Sequence, residues 1–386
     1  MSTFRGEPTG PGAADPVAEW ERLREADIYG VPWRRWGPYL ADRAWGTVRE
    51  DYSANGDAWS YFPWEQAISR AYRWNEDGMA GICDDQQLVC LALALWNGHD
   101  PIIKERHFGL TNSQGNHGED VKECWWYVDA TPTSSWLQWR YHYPQAAFPY
   151  DELVAENGRR SRTEPEYELV DTGIFNEGRY FVVTVTWAKG GPDDLLWQIQ
   201  ARNVGPDPAA LDVLPTIWYR NRWSWDFEAT RPTIVMRRGT EQIMAIDCAG
   251  IGSRVLAAGT GPDGKAPEAL FCDNETNTQK LWGTPGPRFP KDGINDYLVH
   301  GASSVNPDLS GTKAALRYHL ELAPGASVQI RLRFAHEALD LGSAFDGVLA
   351  QRKSEADDYF ASIAPADITA PEADVLRQAA AGMLWC

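Results

Sequence analysis

Long apolar runs are missing from this sequence of 386 residues. A helix that spans a membrane needs about 18 apolar residues or more, so no such helix is expected. The longest run, residues 88–96, predicts a buried strand instead. The N-terminus also lacks a basic segment followed by an apolar one, so we expect no signal peptide. These absences predict a cytoplasmic protein without a membrane partner.

Basic residues are scarce relative to acidic ones. The chain has 36 Lys and Arg against 54 Asp and Glu, which gives a formal net charge of −18 at pH 7. Nucleic acids and anionic membranes are bound through clustered Lys and Arg, so we exclude both as partners. A neutral ligand such as a sugar is indifferent to this charge, and the composition leaves that class of partner open.

Cysteine is also rare, with six residues and no Cys-x-x-Cys spacing. Without a secretory signal, such cysteines are expected to remain free thiols that pack as small apolar side chains. No Cys and His pair has the spacing of zinc ligands, and His107 and His117 lie on different predicted elements. We therefore predict no metal site and no cofactor.

Strand signals dominate the middle of the chain, where Gly, Pro, Asp and Asn turns separate them. The clearest pair is residues 180–187 and 195–203, joined by the turn-rich sequence AKGGPDD. In the second strand, Leu195, Trp197 and Ile199 alternate with polar residues, as in a strand with one buried face. Further strands are predicted at residues 124–129, 211–220, 233–236, 242–246, 254–258, 270–272, 317–322 and 327–334. This series of antiparallel strands predicts a mainly β fold, a large β-sandwich.

The pattern divides the chain into three predicted regions. The first region, residues 1–26, begins with residues 1–16, which are rich in Gly, Pro and small residues and are expected to be disordered, and ends with a short helix at 19–26. Residues 27–335 form the β-sandwich. Residues 336–386 change to a helical period and are expected to form a linker and the first helix of a further helical domain.

The two C-terminal helices have recognisable start signals. Ser343 is the predicted N-cap of the first, and Thr369 or Ala370, with Pro371 at the first helical position, starts the second. The second helix carries an apolar stripe that runs to Trp385. We expect this stripe to be exposed and to cause self-association.

Tryptophan, unlike cysteine, is abundant, with 19 residues in the chain. Residues 33–76 hold six of them, interleaved with arginines and carboxylates. Indole faces beside charged groups suit sugar rings, whose C–H faces stack while their hydroxyl groups bind the charges. The same composition fits a core of Trp and Arg held by cation–π contacts and buried ion pairs. The residues alone leave both interpretations open.

Three segments of this part of the chain carry a family resemblance. They read WGPYLADRAWGTVREDYSANGDAWSYFP, RAYRWNEDGMAGICDDQQ and ERHFGLTNSQGNHGEDVKE. They resemble the N-terminal part of bacterial glycoside hydrolase family 63 proteins, usually called glucosidases, and the resemblance runs from about Trp33 to the C-terminus. It implies a two-sheet super-sandwich in front of a catalytic (α/α)6 barrel. The chain departs from the family in length, because the barrel would follow residue 386.

The resemblance also implies a parent activity, the inverting hydrolysis of an α-glucosidic or related α-glycosidic bond by two barrel carboxylates and a water. The carboxylate pairs nearest the tryptophans are Glu50-Asp51 and Glu119-Asp120. Adjacent residues of a strand point to opposite faces, so neither pair by itself forms a catalytic dyad. We therefore predict no catalytic residue in this chain.

Two polar segments are the candidates for contact with a sugar or with the barrel. In the predicted strand 44–52, an indole, a guanidinium and a carboxylate share one face, and two of these groups are costly to bury unpaired. The polar loop 109–123 is expected beside it, where it would cover a sugar pocket or brace a domain interface. The predicted substrate-binding or domain-interface residues are Trp45, Arg49, Asp51, His117, Glu119 and Asp120.

Two shorter motifs have structural interpretations. Gly259, Gly261 and Gly264 match a dinucleotide fingerprint as a string but open no helix, so we predict a loop. Asp84 and Asp85 are predicted to accept hydrogen bonds from nearby backbone N–H groups.

The sequence thus predicts the β-sandwich module of a family 63-like α-glucosidase that is inactive by itself. Two alternatives stay open, a stand-alone carbohydrate-binding sandwich and a purely structural or interaction module. Binding of a glycan by the isolated chain would separate these two alternatives.

Overall fold

The computed structural model describes residues 17–40, 64–71, 78–107, 123–226, 228–237 and 242–385. Within these residues, fifteen β-strands form two antiparallel sheets, so the predicted mainly β fold is confirmed. The strands are β1 (Trp36–Gly37), β2 (Met79–Asp84), β3 (Val89–Trp96), β4 (Trp125–Ala130), β5 (Trp136–Pro144), β6 (Tyr180–Gly191), β7 (Asp194–Asn203), β8 (Ala209–Tyr219), β9 (Thr233–Arg237), β10 (Gln242–Cys248), β11 (Gly252–Ala258), β12 (Glu268–Cys272), β13 (Ser310–Gly311), β14 (Lys313–Leu322) and β15 (Ser327–Ala335). The α-helices are α1 (Ala18–Tyr29), α2 (Trp64–Ala67), α3 (Tyr150–Arg159), α4 (Thr278–Trp282), α5 (Gly293–His300), α6 (Ser343–Ile363) and α7 (Ala370–Trp385).

The smaller sheet has six strands in the order β1-β2-β3-β8-β14-β12. Its strand β3 is the predicted buried run, and it is apolar throughout because both of its faces are covered. Leu91 belongs to the core between the two sheets. Ala92 belongs to the cluster on the opposite, outer face, together with Leu40 and Trp218.

The larger sheet has nine strands in the order β13-β9-β10-β11-β15-β7-β6-β5-β4. The predicted hairpin lies within it, with Trp187 of β6 opposite Trp197 of β7. Strand β6 is longer than predicted, because pairing continues past Trp187 to Gly191 and leaves two residues for the turn. The predicted turn AKGGPDD is therefore mostly strand, and a bulge between Lys189 and Gly191 accommodates its glycines.

The core lies between the two sheets and is rich in aromatic side chains. Trp187 and Trp197 are buried, and their rings stack with centroids 4.4 Å apart and an interplanar angle of 19°. The Trp187 indole N–H donates to the carbonyl oxygen of Ala80 at 2.9 Å. Because Ala80 belongs to β2, this hydrogen bond joins the two sheets inside the apolar core.

Two tryptophans of the 33–76 region are described in full, and both pack in the interior. Trp36 is fully buried and donates its indole N–H to Asp193 at 2.9 Å. Trp33 is also buried, with the Arg22 guanidinium 5.3 Å from its ring centroid. At these two positions the interpretation as a core of Trp and Arg is correct.

Helices occur at more places than predicted. The N-terminal helix α1 is present, and α6 begins at Ser343, although the N-cap is Gly342. The carboxylate of Asp340 accepts a hydrogen bond from the Ala344 N–H and so serves the end that Ser343 was predicted to cap. Helices α3, α4 and α5 lie between strands of the β region, where the sequence predicts only strands and turns. Helices α3, α4 and α5 have ten residues or fewer, too short for a period of 3.6 to be distinct.

The last helix, α7, packs on strand β4 rather than standing free. Trp385 and Ala381 are fully buried in the main core, whereas Val375 and Met383 are 67% and 80% exposed. The predicted exposed apolar stripe is therefore wrong for Trp385 and holds for Val375 and Met383. Self-association through α7 stays a prediction that rests on these two residues.

Asp84 and the glycine motif have the predicted roles, whereas Asp85 is exposed and, among the described residues, its carboxylate has no such hydrogen bond. The Asp84 carboxylate accepts hydrogen bonds from the N–H groups of Gln86, Leu88 and Val89 at 3.0, 2.8 and 2.8 Å. The glycine motif at residues 259–264 lies in the connection between β11 and β12 and opens no helix. The cysteines in the described residues are free thiols. None of the helices in the described ranges combines the length and the apolar character that crossing a membrane requires.

Candidate functional site

The six predicted site residues lie outside the described residues. Trp45, Arg49 and Asp51 fall in the gap at 41–63, and His117, Glu119 and Asp120 fall in the gap at 108–122. The structure therefore leaves their positions as predictions. It does describe the residues that hold both ends of the second gap and the chain after the first, and these anchors define a candidate site.

The second gap begins and ends at one buried cluster. His107 precedes it and Glu123 follows it, and His107 Nδ1 lies 3.6 Å from Glu123 Oε2. The other carboxylate oxygen, Oε1, accepts a hydrogen bond from Lys104 Nζ at 3.0 Å, and Tyr141 OH donates to Oε2 at 2.6 Å. All these side chains are buried. The Glu123 carboxylate therefore holds together the residues on both sides of the segment 108–122.

Aromatic rings complete this anchor. The ring of His107 stacks on Trp125 with centroids 4.5 Å apart and an interplanar angle of 7°. The Lys104 ammonium lies 3.7 Å from the centroid of the Phe148 ring and 5.1 Å from that of Tyr150. Cation–π contacts of this kind help to hold a charged group away from water. Together with the ion pair to Glu123, they explain how a lysine that is 1% exposed remains in the interior.

The electrostatics of the cluster keep Glu123 ionised. Burial alone raises the pKa of its carboxyl group, but the charge of Lys104 and the contacts with His107 and Tyr141 lower that pKa to about 2. Burial and the neighbouring Glu123 carboxylate raise the pKa of Tyr141 well above its usual value. Glu123 therefore carries no proton to donate at neutral pH, and the cluster suits anchoring better than acid catalysis.

The first gap is anchored by the segment before α5. Helix α2 and the residues after it follow this gap, and Lys291 Nζ donates to the carbonyl oxygens of Ala67 and Arg70 at 3.0 and 2.6 Å. The Ser69 hydroxyl donates to Asp292 Oδ2 at 2.6 Å. Lys291 and Asp292 are buried, so the chain after the gap is held by charged groups in the interior.

Lys313 and Glu105 connect the two anchors. The Lys313 ammonium forms an ion pair with the Glu105 carboxylate, and both side chains are buried. Lys313 Nζ also lies 3.5 Å from the carbonyl oxygen of Lys291. Glu105 is next to Lys104 in sequence and accepts the Gly78 N–H at its carbonyl oxygen at 2.9 Å. These buried polar contacts, together with the peptide bond between Lys104 and Glu105, join the anchor of 41–63 to the anchor of 108–122. We call this set of contacts the anchor network.

The anchor network is built for holding the chain in place. Its carboxylates lie against lysine ammonium groups, so a removed partner would leave a buried charge. In the described ranges, no group of three or more His, Cys, Asp or Glu side chains is arranged to hold a metal ion. What the arrangement can do is fix the described residues that flank the two polar segments relative to the sandwich.

Sequence reasoning missed every lysine of the anchor network. A signal is visible in hindsight, because Lys104, Glu105, Arg106 and His107 are four consecutive ionisable residues between a buried strand and a polar loop. All four are buried. The sequence shows that these residues are charged, but the partner Lys313 lies 208 residues from Glu105 and has no local marker.

Comparison with known proteins gives partial matches. No family model matches the chain. An uncharacterized protein of Saccharomyces cerevisiae is 39% identical over 415 residues, which cover 96% of this chain and 38% of that protein. Among solved structures, a polysaccharide lyase superposes with a TM-score of 0.30 at 13% identity, covering 67% of this chain and 27% of the lyase. A putative kojibiose phosphorylase from the human microbiome has a TM-score of 0.23 at 7% identity, covering 53% of this chain and 21% of the phosphorylase.

The two superpositions are too weak to carry an argument about fold or function. The match to the yeast protein is different, because it runs along almost the whole of this chain. The chain spans little more than a third of the length of this curated relative. It is therefore similar to one part of a longer eukaryotic protein.

Proposed function

We propose that this chain is the β-sandwich module of a larger glycoside hydrolase of the family 63 type. The parent activity would be inverting hydrolysis of an α-glucosidic or related α-glycosidic bond. Its general acid and general base would lie on a helical barrel that follows the sandwich, so the chain by itself would have no glycosidase activity. Three motifs support the family, and the yeast relative has more than half of its length available for further domains.

The observation that carries the proposal is the order of elements. A two-sheet sandwich is followed directly by two helices, which is the order that the resemblance implies. Helix α6 packs on the nine-stranded sheet through Phe345 and Leu349, which cluster with Trp136 and Leu196. On this proposal, residues 27–335 are the sandwich domain and residues 336–386 are the linker and the first barrel helix.

The proposed role of the anchor network is to support the interface with the barrel. It would hold the predicted segments with Trp45, Arg49 and Asp51 and with His117, Glu119 and Asp120 near the mouth of the sugar pocket. Rigid support of this kind matters, because a displacement of about 1 Å can cost two orders of magnitude in rate. The carbohydrate partner would then be bound by the parent enzyme, with this module as one wall of its site.

The test compares the isolated chain with the full-length yeast relative. Both are purified and assayed on aryl α-glucosides and on α-linked glucose disaccharides. We expect turnover by the relative and none by this chain. Turnover by this chain above about 1 per second, an ordinary enzyme rate, would contradict the module proposal. A yeast relative that is folded but inactive on every α-linked substrate would contradict the parent activity.

A further inference from the structure

The outer face of the nine-stranded sheet carries a groove of about 520 Å³ at its β4 edge. Trp126 of β4 and Arg140 of β5 are cross-strand partners in its floor, and Asp374 and Gln378 of α7 line its other side. The volume is within the range of about 300–1,000 Å³ that small-molecule sites have. We call it the Trp126 groove.

Trp126 is held by other rings and yet stays accessible. The His142 ring packs against it with centroids 4.8 Å apart and an interplanar angle of 64°, and His142 in turn stacks on Tyr180 at 4.9 Å. Despite these contacts, Trp126 remains 38% exposed. A supported, exposed indole offers a rigid apolar surface with one N–H donor, which matches the C–H face and hydroxyl groups of a sugar ring.

Unused hydrogen-bonding groups surround this indole. Among the described residues, the side chains of Arg140, Asp374 and Gln378 have no hydrogen-bond or ion-pair partner. Arg377 differs, because its guanidinium is bound by Asp129 through hydrogen bonds of 2.7 and 2.6 Å. The groove thus presents a guanidinium, a carboxylate and an amide that are free to bind a ligand with both donors and acceptors.

The charges in the groove favour a neutral ligand. Arg140 and Asp374 have opposite signs, and the two other cations are paired, Arg377 with Asp129 and Lys353 with Asp357, each at 2.6 Å. The net charge of −18 on the whole chain opposes a polyanion such as an acidic polysaccharide. A neutral polyol suits this balance better than an anion or a cation.

We propose that the Trp126 groove binds a neutral oligosaccharide of hexose units. One sugar ring stacks on Trp126, and its hydroxyl groups bind Arg140 and Gln378. The groove contains none of the six predicted site residues, and the proposal does not depend on the parent activity. A sandwich that belongs to no glycosidase would bind in the same way.

The experiment titrates the purified 386-residue chain with maltotriose, isomaltotriose and cellotriose by calorimetry and by ligand-observed NMR. We expect at least one of them to bind, and Trp126→Ala to weaken that binding by about tenfold or more, the loss of about 1.4 kcal/mol of aromatic contact. Trp225→Ala is the matched control, because Trp225 is also 38% exposed but does not line the groove. It should leave the affinity unchanged.

Arg140→Gln is a second test of the groove, for use if Trp126→Ala does not fold. Thermal melts show whether each variant is folded. We expect this variant to bind severalfold more weakly. The proposal is overturned if no trisaccharide binds at concentrations up to about 20 mM, well above a millimolar Kd. It is also overturned if the folded variants bind as tightly as the unmodified 386-residue chain, or if trigalacturonate binds more tightly than every neutral sugar.

Discussion

Lys104 Nζ lies 3.0 Å from Glu123 Oε1, and the two side chains are 1% and 0% exposed. The pair joins the chain before the segment 108–122 to the residue after it. This segment is one of the two in which the sequence predicts contact with a sugar or a partner domain. Because neither charge reaches water, each depends on the other for its stability. The loss of folding stability when one partner is replaced therefore measures how much this pair contributes to the anchor network.

Replacing the ammonium of this pair should destabilise the chain strongly. We expect Lys104→Met to lower the free energy of unfolding by about 3–5 kcal/mol, because it leaves Glu123 as an uncompensated buried charge. Urea titration followed by circular dichroism measures the change. Lys265→Met is the control, since Lys265 pairs with Asp263 at 3.2 Å on the surface, where it is 82% exposed. Equal midpoints for the two variants would show that the Lys104 pair is not an anchor.

Acid should weaken the folded state through Glu123. Its pKa is lowered to about 2 in the folded chain, while an unfolded glutamate titrates near 4.5. The stabilisation is therefore complete above about pH 4.5 and is lost as the pH falls towards 2. It amounts to about 3 kcal/mol at 1.36 kcal/mol per pKa unit. Glu123→Gln should be less stable at pH 7 and should lose less stability between pH 5 and pH 2.5.

A second glutamate serves as the control for this pH dependence. The pKa of Glu156 is also lowered to about 2, by its hydrogen bonds with Arg159 and Arg160. These contacts lie on the surface of α3, where solvent screens them. Glu156→Gln should leave the slope of stability against pH unchanged. Chemical denaturation at a series of pH values measures the free energy of unfolding of each variant. If its plot against pH for Glu123→Gln runs parallel to that of the unmodified chain, the prediction is contradicted.

The docking of α7 should depend on Trp385. Its ring stacks on Tyr127 with centroids 5.1 Å apart, and its indole N–H donates to the carbonyl oxygen of Asp129 at 3.2 Å. We expect Trp385→Ala to cost about 3–5 kcal/mol, the range for removal of a fully buried aromatic side chain. Met383→Ala, at an 80% exposed position of the same helix, should change stability by less than about 0.5 kcal/mol. Hydrogen exchange across residues 370–385 would show whether the helix detaches.

Self-association, if it occurs through α7, should respond to two exposed apolar residues. Val375 and Met383 are 67% and 80% exposed. We expect concentration-dependent oligomers in sedimentation velocity, and a shift to monomer in the double variant Val375→Glu, Met383→Glu, because charges prevent burial of the patch. The stability of the double variant should match that of the unmodified chain. A chain that is monomeric at all concentrations would contradict the prediction.

Arg49 tests the proposed interface directly. If the Arg49 side chain faces a partner domain, Arg49→Ala should leave the thermal midpoint of this chain nearly unchanged. If Arg49 instead pairs with a buried carboxylate inside the sandwich, the variant should lose about 3–5 kcal/mol. A midpoint lowered by many degrees would reject the interface role.

Several features of this protein could be predicted from its sequence because they depend on neighbouring residues. The alternation at Leu195, Trp197 and Ile199 fixes which face of β7 is buried, and the strand period is local. The loop held by Asp84 could be predicted for the same reason, since the N–H groups that donate to its carboxylate lie within five residues of it. The fold class follows from the sum of such local patterns.

Only the tertiary structure decided which distant residues meet. Glu105 and Lys313 are 208 residues apart, and Arg377 is 248 residues from Asp129, so no period or spacing marks them as partners. Trp385 looked like part of an exposed stripe, because a helix shows its apolar side but not what covers it. The sequence by itself determined most of the strands, their inward faces and the acidic charge. The packing of the two sheets and of α7 then determined which charges are buried in pairs, because a side chain is withdrawn from water only by residues that folding brings to it from elsewhere in the chain.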